Sequence, residues 1–181
     1  WDDIDNINNP LLDGPWLDGL HRSQHDHLDR AYRRIEGMRP AHDSYRPVLY
    51  ASHRLERLLY GRSAAGHHAH NVALALLVVL LVYILARRWL EDETQSLLVA
   101  AIFALHPVQV EPIVYVSGRG DLLAAFFTLV ALLCALSGGQ NAASTASRYS
   151  WAGLSALAYL LALLSKESYI GAPVGLALIA W

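Results

Sequence analysis

The 181-residue chain has one cysteine, one methionine and three phenylalanines. A single cysteine, Cys134, excludes a disulfide within the chain, and its apolar neighbours make it a small core-like residue. There is no basic excess. The formal net charge is -2, which argues against a nucleic-acid partner. The nine histidines occur without companion cysteines and without a His-Glu-x-x-His pattern. A zinc-protease reading therefore has no support, although His21 and His25 share a helical face and His67, His68 and His70 cluster. No repeat of fixed period appears. Charge is scarce beyond residue 62, where long apolar runs take over. Inside those runs ionisable groups are almost absent, which disfavours an ion pathway.

The apolar runs are what the chain has in quantity: 54% of its residues are hydrophobic and 17% charged. A run of about 20 apolar residues crosses the hydrocarbon of a bilayer as a helix. On this basis helices are expected over 69–88, 96–105, 121–137 and 151–165, with a further apolar run from Tyr169 to Trp181. The fold class is all-α. It is a polytopic membrane helix bundle of four or five spans, preceded by a long extramembrane loop with amphipathic helices. The expected division is 1–66 for that loop and 67–181 for the bundle. The chain starts at Trp1 and stops in an apolar run, so it reads as a fragment of a longer protein. Leu97–Leu105 is too short to cross alone, and residues 108–116 are expected to contribute structure at membrane depth. Within the loop, apolar residues from Leu28 to Met38 and from Pro47 to Tyr60 recur at helical spacing, as in helices lying in the membrane interface.

Three constellations can carry chemistry. Asp2 and Asp3 open a turn-rich stretch, where a carboxylate can deprotonate a hydroxyl or bind a cation; composition alone favours a solvated turn. Between two apolar runs lie His106, Glu111, Arg119 and Asp121, interspersed with Pro and Gly that allow a non-helical backbone around a cavity. Arg119 offers a planar fork suited to phosphate, and the plain alternative is an ion pair with Asp121. Lys166-Glu167 sits between two further apolar runs, either as a hairpin loop or as a cation for an anionic headgroup.

Taken in order, Trp1-Asp2-Asp3-Ile4, Tyr45-Arg46-Pro47, Gly66-His67-His68-Ala69-His70-Asn71, His106-Pro107-Val108-Gln109-Val110-Glu111, Val116 to Leu123 and Ser165-Lys166-Glu167-Ser168 form a recognisable series. The chain resembles the transmembrane, tetratricopeptide-repeat-containing O-mannosyltransferase group and its bacterial relatives. More broadly it is similar to C-type glycosyltransferases that use polyprenyl-phosphate sugars. His67 departs from this resemblance, standing where the group usually has an aromatic residue, and residues 18–39 have no counterpart.

The resemblance implies a multi-pass transferase in the bacterial inner membrane or endoplasmic reticulum. Its active face would be periplasmic or lumenal and would carry residues 1–66, the 106–121 loop and Lys166-Glu167. It implies transfer of a mannose-like sugar, with inversion, from a polyprenyl-phosphate donor to a hydroxyl acceptor on a protein. Asp2 or Asp3 would be the general base, and Arg119 and Lys166 would hold the donor phosphate. His106, Glu111, Asp121, Glu167 and Arg46 would support them, and a divalent cation is left open. The competing readings are a transporter or structural membrane subunit, and an inactive relative that binds lipid phosphate.

Overall fold

The computed structural model describes residues 46–140 and 144–172. Asp2, Asp3 and the helix expected near Leu28 to Met38 lie outside them. The described residues are helical, with no strand among them, as the apolar periodicity led us to expect.

Helix α1 spans Pro47–Tyr60, opened by a proline in its first turn, where a missing N–H costs nothing. It stops at Gly61, whose φ of 59 is left-handed backbone that glycine accepts readily. Helix α2 spans Ala64–Leu90, with Ser63 accepting a hydrogen bond from the Gly66 N–H. Helix α3 spans Glu93–Leu105; Asp92 caps it by accepting from the Gln95 N–H at 2.7 Å.

Pro107 ends α3, because the residue before a proline is driven out of the helical region; His106 is accordingly extended. The chain bends by 55° and continues as a 3-10 turn, Pro107–Gln109, and the short helix α4, Val110–Val114. A second 3-10 turn, Val116–Gly118, leads into α5, Arg119–Gln140, followed by α6, Thr145–Ser165, and a 3-10 segment, Glu167–Gly171.

Two stretches, Ala64–Leu90 and Val116–Gly139, are each long and apolar enough to cross a membrane, and the bent α3–α4 pair makes a third if counted as one span. Among the described residues this is fewer than the four spans expected there; the further run from Tyr169 to Trp181 lies largely outside them. The bent pair uses two apolar runs for one crossing, and α6 opens on the polar residues Thr145, Ser147, Arg148 and Ser150.

The packing is inverted relative to a water-soluble bundle. Leu76, Leu80, Leu98, Ile102, Leu157 and Leu160 are exposed, whereas Ala124 and Ala162 are fully buried. Lipid tails are as apolar as leucine, so leucine gains little by turning inward. Small residues let the backbones approach instead. The α5–α6 contact is the most extensive in the molecule, and the Ser155 hydroxyl donates across it to the Ala131 carbonyl at 2.8 Å.

Helix α1 shows the same inversion. Leu49, Tyr50, His53, Arg54, Glu56 and Arg57 are buried against the bundle, while Leu55, Leu58 and Leu59 face outward. An apolar outer stripe on a helix beside membrane spans suits the bilayer interface.

Candidate functional site at one end of the bundle

The chain passes one end of the bundle four times: along α1, at the start of α2, through the 106–121 connection, and at the end of α6. Two close backbone approaches fix that connection. A Cβ added at Gly118 would lie 2.6 Å from Pro112 Cα, so only glycine lets the connection fold back on α4. Gly120 packs against the Ser165 carbonyl, 3.4 Å from where its Cβ would be. That contact brings the first turn of α5 beside the end of α6 and sets Asp121 against Lys166.

Two layers of charge result. The inner one centres on Arg119, which has no exposed surface. Its guanidinium contacts the Glu56 carboxylate and donates to Asn71 Oδ1 at 2.7 Å, to His53 Nδ1 at 2.9 Å and to the His67 carbonyl at 3.1 Å. Arg119 therefore pairs with Glu56 of α1, and Asp121 pairs elsewhere. His67 Nδ1 lies 2.7 Å from Glu56 Oε2, and the Asn71 amide donates to the Tyr115 carbonyl at 3.0 Å. His70 Nδ1 stands 3.4 Å from Glu56 Oε1, within ion-pair reach but without hydrogen-bond geometry.

Burial, with the Arg119 charge and then His67 and His70 adding to it, pushes the His53 imidazole well below its ordinary range and keeps it neutral. Because Nδ1 accepts from Arg119, the ring proton sits on Nε2, which has no hydrogen-bond partner among the described residues. His67, where the resemblance leads one to expect an aromatic residue, is one wall of this cluster.

The outer layer is half open to solvent. Lys166 Nζ donates to both Asp121 oxygens, at 2.6 and 2.7 Å. Arg46 donates to both Glu167 oxygens, at 2.9 and 2.6 Å. The hydrogen bond to Glu167 raises the Arg46 pKa further, so that cation is permanent. Burial and the nearby Asp121 charge raise Tyr169, leaving it a neutral phenol at pH 7. Lys166, Asp121, Glu111, Tyr169 and Gln109 line a cavity of about 470 Å³ whose far wall is Val78, Phe103 and Leu122. It is a polar mouth over an apolar interior, formed where the bent α3–α4 segment stands away from α5.

Of the residues selected from sequence, Lys166, Asp121 and Glu111 meet at this cavity. Arg46 and Glu167 pair with each other beside it, and neither lines it. His106 is exposed, and its Nδ1 accepts from the Val108 N–H at 3.2 Å, capping the 3-10 turn. Arg119 does not reach the cavity; its donors are spent within the inner layer. Among the described residues no group of three or more His, Cys, Asp or Glu is arranged to hold a metal ion. Sequence reasoning missed His53, Glu56, Asn71, Gln109 and Tyr169. The signal that could have found Asn71 is its place four residues after His67, a polar pair on one face of an otherwise apolar helix.

Known proteins sharing this pattern carry one activity in their names. The chain is 36% identical over 93 residues to protein O-mannosyl-transferase Tmtc1 of Drosophila melanogaster, covering 51% of this chain and 11% of that one. It is 30% identical over 127 residues to TMTC2 of Homo sapiens, with 70% and 15% covered. It is 31% identical over 140 residues to F38B6.6 of Caenorhabditis elegans, with 74% and 19% covered. Its relatives are protein O-mannosyl-transferases. The chain spans between 11% and 19% of these three O-mannosyl-transferases. No family model and no solved structure matches the chain. The relatives' names carry the O-mannosyl-transferase activity, and the apolar helices of this chain are those of a membrane protein.

Proposed function

We propose that this chain forms part of an enzyme that moves a mannose-like sugar from a polyprenyl phosphate to a protein hydroxyl, with inversion, on the lumenal or periplasmic face. The observation that carries the reading is the cavity where Lys166, Asp121, Glu111 and Tyr169 converge at one end of an apolar bundle. In this mechanism the bond from the anomeric carbon to the phosphate oxygen breaks as the acceptor oxygen attacks from the opposite side. Negative charge grows on the departing phosphate. A fixed cation there stabilises the transition state more than the ground state. Lys166 is that cation. A donor phosphate would replace the Asp121 carboxylate as its partner, and the Tyr169 phenol, which donates to the Asp121 carbonyl at 3.4 Å, would turn its one O–H to the phosphate. The acceptor proton passes to a carboxylate, for which Asp2 and Asp3 are the candidates. Arg119 and Arg46 act indirectly, by holding the elements that frame the cavity. Asp121 and Glu111 would be the residues to hold a divalent cation, which would supply the same charge neutralisation as Lys166.

The test is transfer of radiolabelled mannose from a polyprenyl-phosphate donor by the protein in membranes, measured beside donor binding. Lys166→Ala should weaken donor binding and lower transfer by ~10²–10³-fold, while Asp2→Asn or Asp3→Asn should keep donor binding and lower turnover by ~10²-fold or more. Normal transfer by Lys166→Ala would remove the cavity from the mechanism. Donor binding without transfer in the unaltered protein would identify an inactive lipid-phosphate binder.

A further inference from the structure

A second cavity, about 720 Å³, lies at the other end of the bundle, and nothing in the transfer chemistry uses it. It is an open groove between α5 and α6. Ala131, Ala135 and Gly139 from α5 and Ala152 and Ala156 from α6 form its floor. The polar groups along it are almost all spent. The Ser155 hydroxyl donates to the Ala131 carbonyl, and the Tyr159 hydroxyl donates to the Tyr169 and Ile170 carbonyls. Thr128 Oγ1 is buried and has no hydrogen-bond partner among the described residues, and the accessible lining of the groove is largely hydrocarbon. At its mouth stands Arg148, an exposed residue whose guanidinium makes no hydrogen bond or ion pair among the described residues.

Arg148 also lies at a defined depth. The end of α2 and the start of α6 belong to the same end of the bundle, because Arg88 of α2 donates to Ser137 Oγ at 2.8 Å and to the Leu133 carbonyl at 3.2 Å near the end of α5. Arg148 thus stands one turn into α6, at the end of the bundle where the candidate span α5 closes, above an apolar trough that runs along α5.

We propose that this groove binds one anionic phospholipid, its acyl chain along the alanine floor and its phosphate on the Arg148 guanidinium. An apolar helix seated there would leave Arg148 without a counter-charge. A neutral, zwitterionic lipid would bring its own cation beside the guanidinium. An anionic headgroup supplies the missing negative charge, and basic pockets between membrane helices are a recurrent form of such sites. The site is independent of the donor cavity and of the transferase reading.

The test is native mass spectrometry of the protein purified from membranes in mild detergent, titrated with phosphatidylglycerol or with phosphatidylcholine of the same acyl chains. The protein should retain one phosphatidylglycerol in preference to phosphatidylcholine by about fivefold, the contribution of one basic residue at a membrane surface. Arg148→Gln should lose the preference while keeping its thermal midpoint, and Arg148→Lys should restore most of it. Ala135→Leu narrows the trough and should lower retention of both lipids. Equal retention of the two lipids, or a preference unchanged in Arg148→Gln, overturns the proposal. So does a disulfide cross-link from a cysteine placed at Ala135 to another membrane helix, which would show the groove already filled by protein.

Discussion

The two charge layers at the cavity end hold the same kinds of group under different conditions. Around Arg119 the side chains of His53, Glu56, His67 and Asn71 are buried, and each guanidinium nitrogen already donates to an acceptor of the protein. Around Lys166 the ion pair is open, with side-chain exposures of 29% for Lys166 and 36% for Asp121. Removing one partner of a sealed pair strands a charge where water cannot reach it. Removing one partner of an open pair lets water replace it. On the proposed reading the buried arginine is scaffold, and the half-exposed lysine is the cation that exchanges its carboxylate for a ligand.

The largest effect should come from the sealed layer. Glu56→Gln leaves Arg119 uncompensated and should cost ~3–5 kcal/mol, seen as loss of folded protein from the membrane and a collapsed thermal midpoint. The double change Glu56→Leu with Arg119→Met should recover much of that loss, since an apolar pair of similar volume replaces a buried ion pair at little cost. Failure of the double variant to recover would mean that the hydrogen bonds to Asn71 and the His67 carbonyl matter more than the charges.

Lys166→Ala should do the opposite: leave the thermal midpoint nearly unchanged and lower sugar transfer by ~10²–10³-fold, the usual effect of deleting a group that stabilises transition-state charge. If Lys166→Ala unfolds the protein and Glu56→Gln does not, the contrast between the layers is reversed.

His53 gives a smaller, pH-dependent effect. Its folded pKa is depressed, so below about 6.5 the unfolded chain takes up a proton that the folded chain refuses. The stability that depends on a neutral His53 is present above that pH and is lost as pH falls from there toward the folded value. A thermal midpoint that drops between pH 7.5 and 5, and drops less in His53→Gln, would bear this out; parallel profiles would place the proton elsewhere. The smallest effect should be Arg46→Ala, which breaks an exposed pair worth ~0–1 kcal/mol and should move the thermal midpoint by no more than a few degrees.

The apolar runs, bounded by Ser63, Asp92 and Pro107, determined most of the helices, because backbone in a membrane must satisfy its own hydrogen bonds and caps form locally; the loop expected over 138–150 is instead largely helical, with α5 reaching Gln140 and α6 starting at Thr145 behind the Ser144 cap. The order of motifs determined which end would gather the ionisable groups, and Lys166, Asp121 and Glu111 do meet there. Pairing was not legible. The Arg119–Glu56 pair joins residues 63 positions apart, and the Lys166–Asp121 pair joins residues 45 apart. Sequence proximity made Asp121 the obvious partner of Arg119. Yet on a helix the second residue on points to a different side, and here Asp121 turns to Lys166 while Arg119 turns inward. The buried polar face of α1 was also hidden, because one pattern of Arg, Glu and His serves a solvated face or a charge-lined interior. Which it became depended on what packed against it, and only the tertiary structure decides that: burial is a property of neighbours brought together, not of the residues themselves.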